Sequence, residues 1–166
     1  MNRNQQANSY KNSAIKTASP GQIILMLYDG ALKFMQQAED GFAMENLRER
    51  NETINNHLIK AQNVLAELQS SLDMKTGGKF SETMSNIYDF MIRQLQDANL
   101  NKNAAPIKIV RKLLKEIRDA WEEMLKKNSS EAAATAKANK EAATESGSSA
   151  AMDGDSKIGG GLNASA

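Results

Sequence analysis

The sequence predicts an all-α protein: an antiparallel four-helix bundle with a flexible N-terminal arm and a disordered C-terminal tail. Three observations lead there. The 166 residues include only two prolines and 5% aromatics, while Leu, Ala, Glu, Lys and Gln, which favour helix, are abundant. Four segments repeat their apolar residues at steps of three and four. The breaks between them are short, which makes successive helices antiparallel neighbours.

Helix one starts sharply. Ser19 is a good N-cap, Pro20 suits the first helical position, and Gln22 stands where a capping box needs Glu or Gln. This helix is expected to run to about Ala43. Helix two, from about Glu45 to Leu72, carries the stripe Leu47, Ile54, Leu58, Ala61, Leu65, Leu68 and Leu72. Gly77–Gly78 ends that pattern. Helix three, about Phe80 to Leu100, carries Phe80, Met84, Ile87, Tyr88, Met91, Leu95 and Ala98. After the turn NKNAA, Pro106 opens helix four, to about Lys127, with Val110, Leu113, Leu114, Ile117, Trp121, Met124 and Leu125.

The expected organisation is an arm at 1–18, a bundle at 19–127 and a low-complexity Ala/Ser/Gly-rich tail at 128–166. The tail has too few large apolar side chains to offset its ordering entropy. Its alanines between Ala132 and Ala143 favour transient helix.

Composition excludes several function classes. With 21 basic and 20 acidic residues, the net charge of +1 gives no general attraction to nucleic acid or anionic membrane. Without cysteine there is neither a disulfide framework nor a thiolate metal site. The first 18 residues are polar, which argues against a Sec-type signal. No apolar run approaches a membrane span. The expectation is a cytosolic protein without direct membrane insertion.

Helix one is too apolar for its setting. On a wheel of about 100° per residue, its apolar side chains fill an arc of about 200°, whereas a bundle helix needs a face of upward of about 100°. Leu25, Met26, Tyr28 and Leu32 fall outside the arc the core requires. Ile59 in helix two and Phe90 in helix three also lie off their stripes. If these side chains converge on one groove, they form a patch of the size that marks a partner site. An amphipathic helix from another chain is one cover for it. The N-terminal arm, docking Tyr10 and Ile15, is another. An irregular bundle with helix one more central is the structural alternative. A homodimer with a scaffolding role is a further one.

Other constellations are weak. His57 stands alone, without the Glu-x-x-His repeats of di-iron bundles, and reads as a solvated histidine rather than a ligand or catalyst. Phosphate-loop, dinucleotide and nucleophile-elbow motifs are absent, so neither a cofactor nor enzymatic activity is expected. Helix four has Lys108, Arg111, Lys112, Lys115 and Arg118, but acidic residues at ion-pair spacing mingle with them. A solvated face is expected, and no nucleic acid.

The segment from Tyr10 to Met35, YKNSAIKTASPGQIILMLYDGALKFM, resembles the N-terminal signature of the flagellin-specific export chaperones, the FliS family. SSLDMKTGG, NIYDFMIRQLQDAN and LLKEIRDAWEEM follow in the family's order. The resemblance covers about residues 10 to 126. It implies a four-helix bundle that captures the C-terminal segment of flagellin in the cytosol, prevents premature polymerisation and assists delivery to the flagellar type III export gate. It also implies that the arm covers the cargo groove in some members, with Tyr10 as the displaceable lid. Ser19 and Pro20 match helix-initiation positions of the motif. Leu27 and Ala31 point inward on the wheel, and Gly30 is expected to permit close backbone approach. The flagellin-binding candidates are thus Tyr10, Ile15, Leu25, Met26, Tyr28, Leu32, Ile59 and Phe90.

Overall fold

Local chemistry sets each helix boundary. The computed structural model describes residues 17–148, with side chains through 140. Helix α1 spans Pro20–Gly41, α2 Leu47–Ser70, α3 Gly78–Asn101 and α4 Ala105–Ser148. At α1 the capping box is complete: Ser19 Oγ accepts from Gln22 N at 3.3 Å, and Ser19 N donates to Gln22 Oε1 at 3.0 Å. These bonds satisfy two amides that a helix start otherwise leaves unpaired. Asn46 caps α2, its Oδ1 accepting from Arg48 N and Glu49 N at 3.0 and 3.1 Å. Lys102 ends α3 in the left-handed region at φ 49°. Asn103 Oδ1 accepts from Ala105 N at 3.0 Å as α4 begins.

Cross-helix bonds fix the topology. Gln69 Nε2 donates to Asp89 Oδ1 at 2.9 Å, and Asn99 Nδ2 donates to Asn55 Oδ1 at 2.9 Å, so α2 and α3 are antiparallel. Arg118 Nε donates to Asp29 Oδ1 at 2.7 Å, Arg111 pairs with Glu39, and Trp121 Nε1 donates to the Gly21 carbonyl at 2.9 Å. These contacts make α4 antiparallel to α1. Between the helices lies a core of Leu, Ile, Met and Val side chains with alanines 31, 38, 61 and 98 at the close approaches. The three inner stripes read from the sequence therefore hold over most of their length.

The stripes fail at their ends. Leu47 and Phe80 are exposed because each sits in the first turn of its helix, beyond the reach of the neighbouring helices. Tyr28 goes the other way: it is 3% exposed and belongs to the core rather than to the surplus. Gly30 does not mediate a close approach, since a Cβ there would meet nothing within 4 Å. The tight glycine of α1 is Gly21, whose added Cβ would lie 2.6 Å from Leu125 Cδ2. Nor is His57 simply solvated. It is half-buried, its Nδ1 is 2.8 Å from the Thr53 carbonyl, and its ring lies 6.4 Å from that of Phe34.

Helix α4 runs past Lys127 to Ser148, through residues expected in the tail. Alanine-rich sequence without proline, and with no glycine before Gly147, favours helix. The bundle closes at Leu125, and residues from Lys126 form a second unit. Side chains 126–140 are exposed. Residues 1–16 and 149–166, including most of the predicted arm and the end of the predicted tail, lie outside the described residues.

The α2–α3 connection depends on Asp73. Its Oδ1 accepts from Lys75 N and Thr76 N at 2.9 and 3.0 Å, and its other oxygen accepts from the Thr76 hydroxyl. Its backbone carbonyl accepts from Gly77 N at 2.9 Å. A Cβ on Gly77 would stand 2.5 Å from that carbonyl oxygen and 1.8 Å from Ser81 Oγ. The serine can rotate away, but the carbonyl cannot. Gly77→Ala is therefore expected to destabilise the bundle by about 1–3 kcal/mol, read as a lower urea midpoint at unchanged m-value. An unchanged midpoint contradicts the assignment.

Candidate functional site

Four helices meet unevenly at the end of the bundle where α1 and α3 begin. There they leave a groove of about 540 Å³. Helix α1 contributes Ile24 and Tyr28, and α3 contributes Phe80, Met84 and Tyr88. From α4 come Ile117, Trp121 and Met124; Leu68 and Leu72 close the side formed by the last turns of α2. Asp73 is the one charged residue in the lining. Its hydrogen bonds to Thr76 and Lys75 hold its carboxyl below the usual carboxylate range. Phe80, at 64% exposure, stands at the rim.

The floor is aromatic. Tyr28 and Tyr88 bring their hydroxyl oxygens to 2.6 Å, joining α1 to α3 across the core. The Trp121 ring meets Tyr28 edge-on, with centroids 6.4 Å apart and planes at 68°. Burial pushes the pKa of both tyrosines above the ordinary value near 10. For Tyr88 the bond to Tyr28 adds to the rise, whereas for Tyr28 its bond to Tyr88 offsets part of it. Both rings are thus neutral hydrogen-bonding groups set into an apolar surface.

A second groove, about 580 Å³, lies between α1 and α4 and is lined by charged residues, with Leu32 among Lys108, Arg111, Lys112, Lys115 and Arg118. Here the cations of α4 do more than line a wet face. Arg118 bonds Asp29 on α1 and Glu122 on its own helix, at 2.7 and 2.8 Å. Those carboxylates raise its already high pKa, the Asp29 bond most of all. Lys115 pairs with Asp119 at 2.6 Å and, through that bond first, lowers the aspartate's pKa. Arg111 bonds one oxygen of Glu39, and the other oxygen is buried with no hydrogen-bond partner among the described residues. A third groove, between α2 and α3, is edged by Ile59, Leu100 and amide side chains.

The predicted site residues scatter over these surfaces. Tyr10 and Ile15 lie outside the described residues. Tyr28 is on the floor of the apolar groove, but as a buried, hydrogen-bonded ring. Leu32 is half-buried in the α1–α4 groove. Ile59, 44% exposed, edges the third groove. Leu25 is half-buried, while Met26 and Phe90 are exposed at 38% and 44%; none of the three lines a groove described above. Among the described residues these side chains are distributed over different grooves and faces rather than gathered in one. Side chains spaced around different helices diverge unless the helices happen to turn them to a common side.

Tyr28 apart, the large apolar side chains of this groove come from residues the pattern assigned to the core. Phe80, Met84, Trp121 and Met124 keep helical spacing with their stripes, so periodicity could not set them apart. Their position at helix ends was the available signal, because no neighbour covers a stripe beyond the last shared turn.

No group of three or more His, Cys, Asp or Glu side chains able to hold a metal occurs among the described residues. None of the described helices is long and apolar enough to cross a membrane. The decisive observation is that residues 2–128 match the family model of the flagellar protein FliS. The chain belongs to the FliS family. A flagellar secretion chaperone FliS of Salmonella typhimurium is 36% identical over 118 residues, covering 70% of this chain and 84% of its own length. The Bacillus subtilis FliS is 33% identical over 117 residues, again 70% and 84%. The Campylobacter jejuni FliS is 30% identical over 125 residues, covering 75% of this chain and 94% of its own. The matched span of the family model takes in all the residues of the apolar groove.

The tyrosine pair makes this FliS-family bundle sensitive to alkali. Folding raises both phenol pKa values, so the unfolded chain loses phenolic protons near pH 10 while the folded chain retains them. Their contribution to stability is fully present below pH 10 and is lost as pH rises above it. Thermal melts from pH 8 to 11 should show a fall above pH 10 that is smaller in Tyr28→Phe/Tyr88→Phe. Equal falls in both proteins contradict the assignment.

Proposed function

We propose that this chain is a cytosolic flagellar export chaperone, not an enzyme. It binds the disordered C-terminal segment of flagellin in apolar surface grooves, prevents premature polymerisation and assists delivery to the flagellar type III export apparatus. Family membership supports the general role, since the matched relatives are named flagellar secretion chaperones. The observation that carries the binding mode is the apolar groove at the end of the bundle, with Phe80 at its rim and Trp121 in its wall.

Such a groove suits an amphipathic segment that is unfolded when free. Each Å² of apolar area removed from water contributes roughly 25 cal/mol. Ordering the segment offsets much of that gain, which leaves binding reversible. Leu25, Met26, Leu32, Ile59 and Phe90 then serve as separate contacts along a cargo that wraps the bundle, rather than as one site. The N-terminal arm, with Tyr10 and Ile15, is the displaceable lid. It joins α1 at Ser19, close in sequence to Ile24 and Tyr28 of the groove.

Pull-down with full-length flagellin and with flagellin lacking its C-terminal segment tests the cargo. Capture is expected only of the former, and equal capture rejects the mechanism. Phe80→Asp tests the surface. Phe80 packs little against the fold, so the thermal melt should stay unchanged while flagellin affinity falls by about tenfold or more. Undiminished affinity by titration calorimetry moves the cargo off this groove.

A further inference from the structure

Two phenol hydroxyls carry two protons. The 2.6 Å contact between Tyr28 and Tyr88 uses one of them, whichever oxygen donates. The hydroxyl that accepts still has its own proton. Among the described residues, no other hydrogen bond is formed by either hydroxyl, and both rings are buried on the groove floor. A buried donor left unpaired is costly.

We infer that the Tyr28–Tyr88 hydroxyl pair is a specificity determinant of the groove, donating its second proton to a neutral carbonyl oxygen of the bound flagellin segment. This rests on the proposed function, because it takes the groove to be occupied by that cargo. The acceptor is a neutral carbonyl rather than a carboxylate. The charged residue in the lining is Asp73, whose bonds to Thr76 and Lys75 favour its ionised form. It repels a second anion, and no lysine or arginine lines the groove to compensate. A carbonyl from an amide side chain, or from the last turn of a cargo helix, meets the requirement. That turn leaves carbonyls without helical partners. An occupant offering only hydrocarbon at this point would leave the phenol proton buried and unpaired. The groove thereby selects among apolar segments by one polar atom, as buried polar groups in apolar sites do.

The test compares full-length wild-type protein with Tyr28→Phe/Tyr88→Phe by titration calorimetry against purified flagellin. Removing both hydroxyls together leaves no orphaned partner, so the bundle is expected to fold with a similar melt. Flagellin affinity should fall about tenfold, the worth of one hydrogen bond. Single Tyr28→Phe keeps one hydroxyl with a free proton and should lose less than the double variant. If the folded double variant binds as tightly as wild type, the inference is overturned. Failure of wild type itself to bind flagellin overturns the proposed function instead.

A measurement on proteins that keep both hydroxyls covers the case in which the double variant does not fold. Ultraviolet resonance Raman of the Tyr10→Phe protein, mixed with flagellin made with ring-deuterated tyrosine, isolates the doublet of Tyr28 and Tyr88, the two left of the three tyrosines of the chain. Added flagellin should shift their hydrogen-bond-sensitive doublet toward stronger donation. An unmoved doublet at saturating flagellin overturns the inference.

Discussion

The hydroxyl contact between Tyr28 and Tyr88 governs the shape of the working end of this molecule. It joins α1 to α3 across the core, two elements that are not sequence neighbours. Each ring brings a large apolar body and a polar tip, and the tips satisfy each other in part. Because the rings meet tip to tip, Trp121 approaches Tyr28 by its edge and anchors its own nitrogen on the Gly21 carbonyl. A Cβ on Gly21 would meet the tip of the Leu125 side chain, so this leucine of α4 reaches over the first turn of α1. The groove is the space left above this aromatic floor.

Charge holds the rest of the α1–α4 seam. Arg118 and Arg111 reach from α4 to Asp29 and Glu39 on α1. Exposed ion pairs contribute little each, but these two are partly shielded and share one seam. The near-neutral net charge of the chain thus conceals a local order in which two arginines of α4 are committed to the neighbouring helix. The two surfaces differ in character as a result: an apolar groove with a neutral polar floor at one end, and a charged, largely self-satisfied groove along the side.

Much of the fold was legible in the residues. Ser19, Pro20 and Gln22 specify a helix start through bonds local to three residues, and Gly77–Gly78 specify a break. The stripe Ile54, Leu58, Ala61, Leu65 and Leu68 lies wholly in the core, as its spacing requires. The excess of apolar side chains on α1 was legible too, and Met26 is indeed exposed. The position of the groove was not. A helical wheel gives angles about one axis and says nothing of how four axes are turned toward each other. It placed Tyr28 on the outside because its angle falls beyond the arc the core requires, without knowing that Tyr88 faces it.

By itself the sequence determined what is local: which segments are helical, where they are capped, which stripe turns inward, and that α1 carries more apolar surface than one face needs. It also carried the family signature, which rests on residue identity rather than geometry. Tertiary structure alone decided which side chains are covered where stripes outrun their neighbours. It moved Phe80 from core to rim and Tyr28 from surface to floor. Burial at a helix end depends on how far the facing helices extend and at what angle they cross, and no periodicity within one helix encodes that.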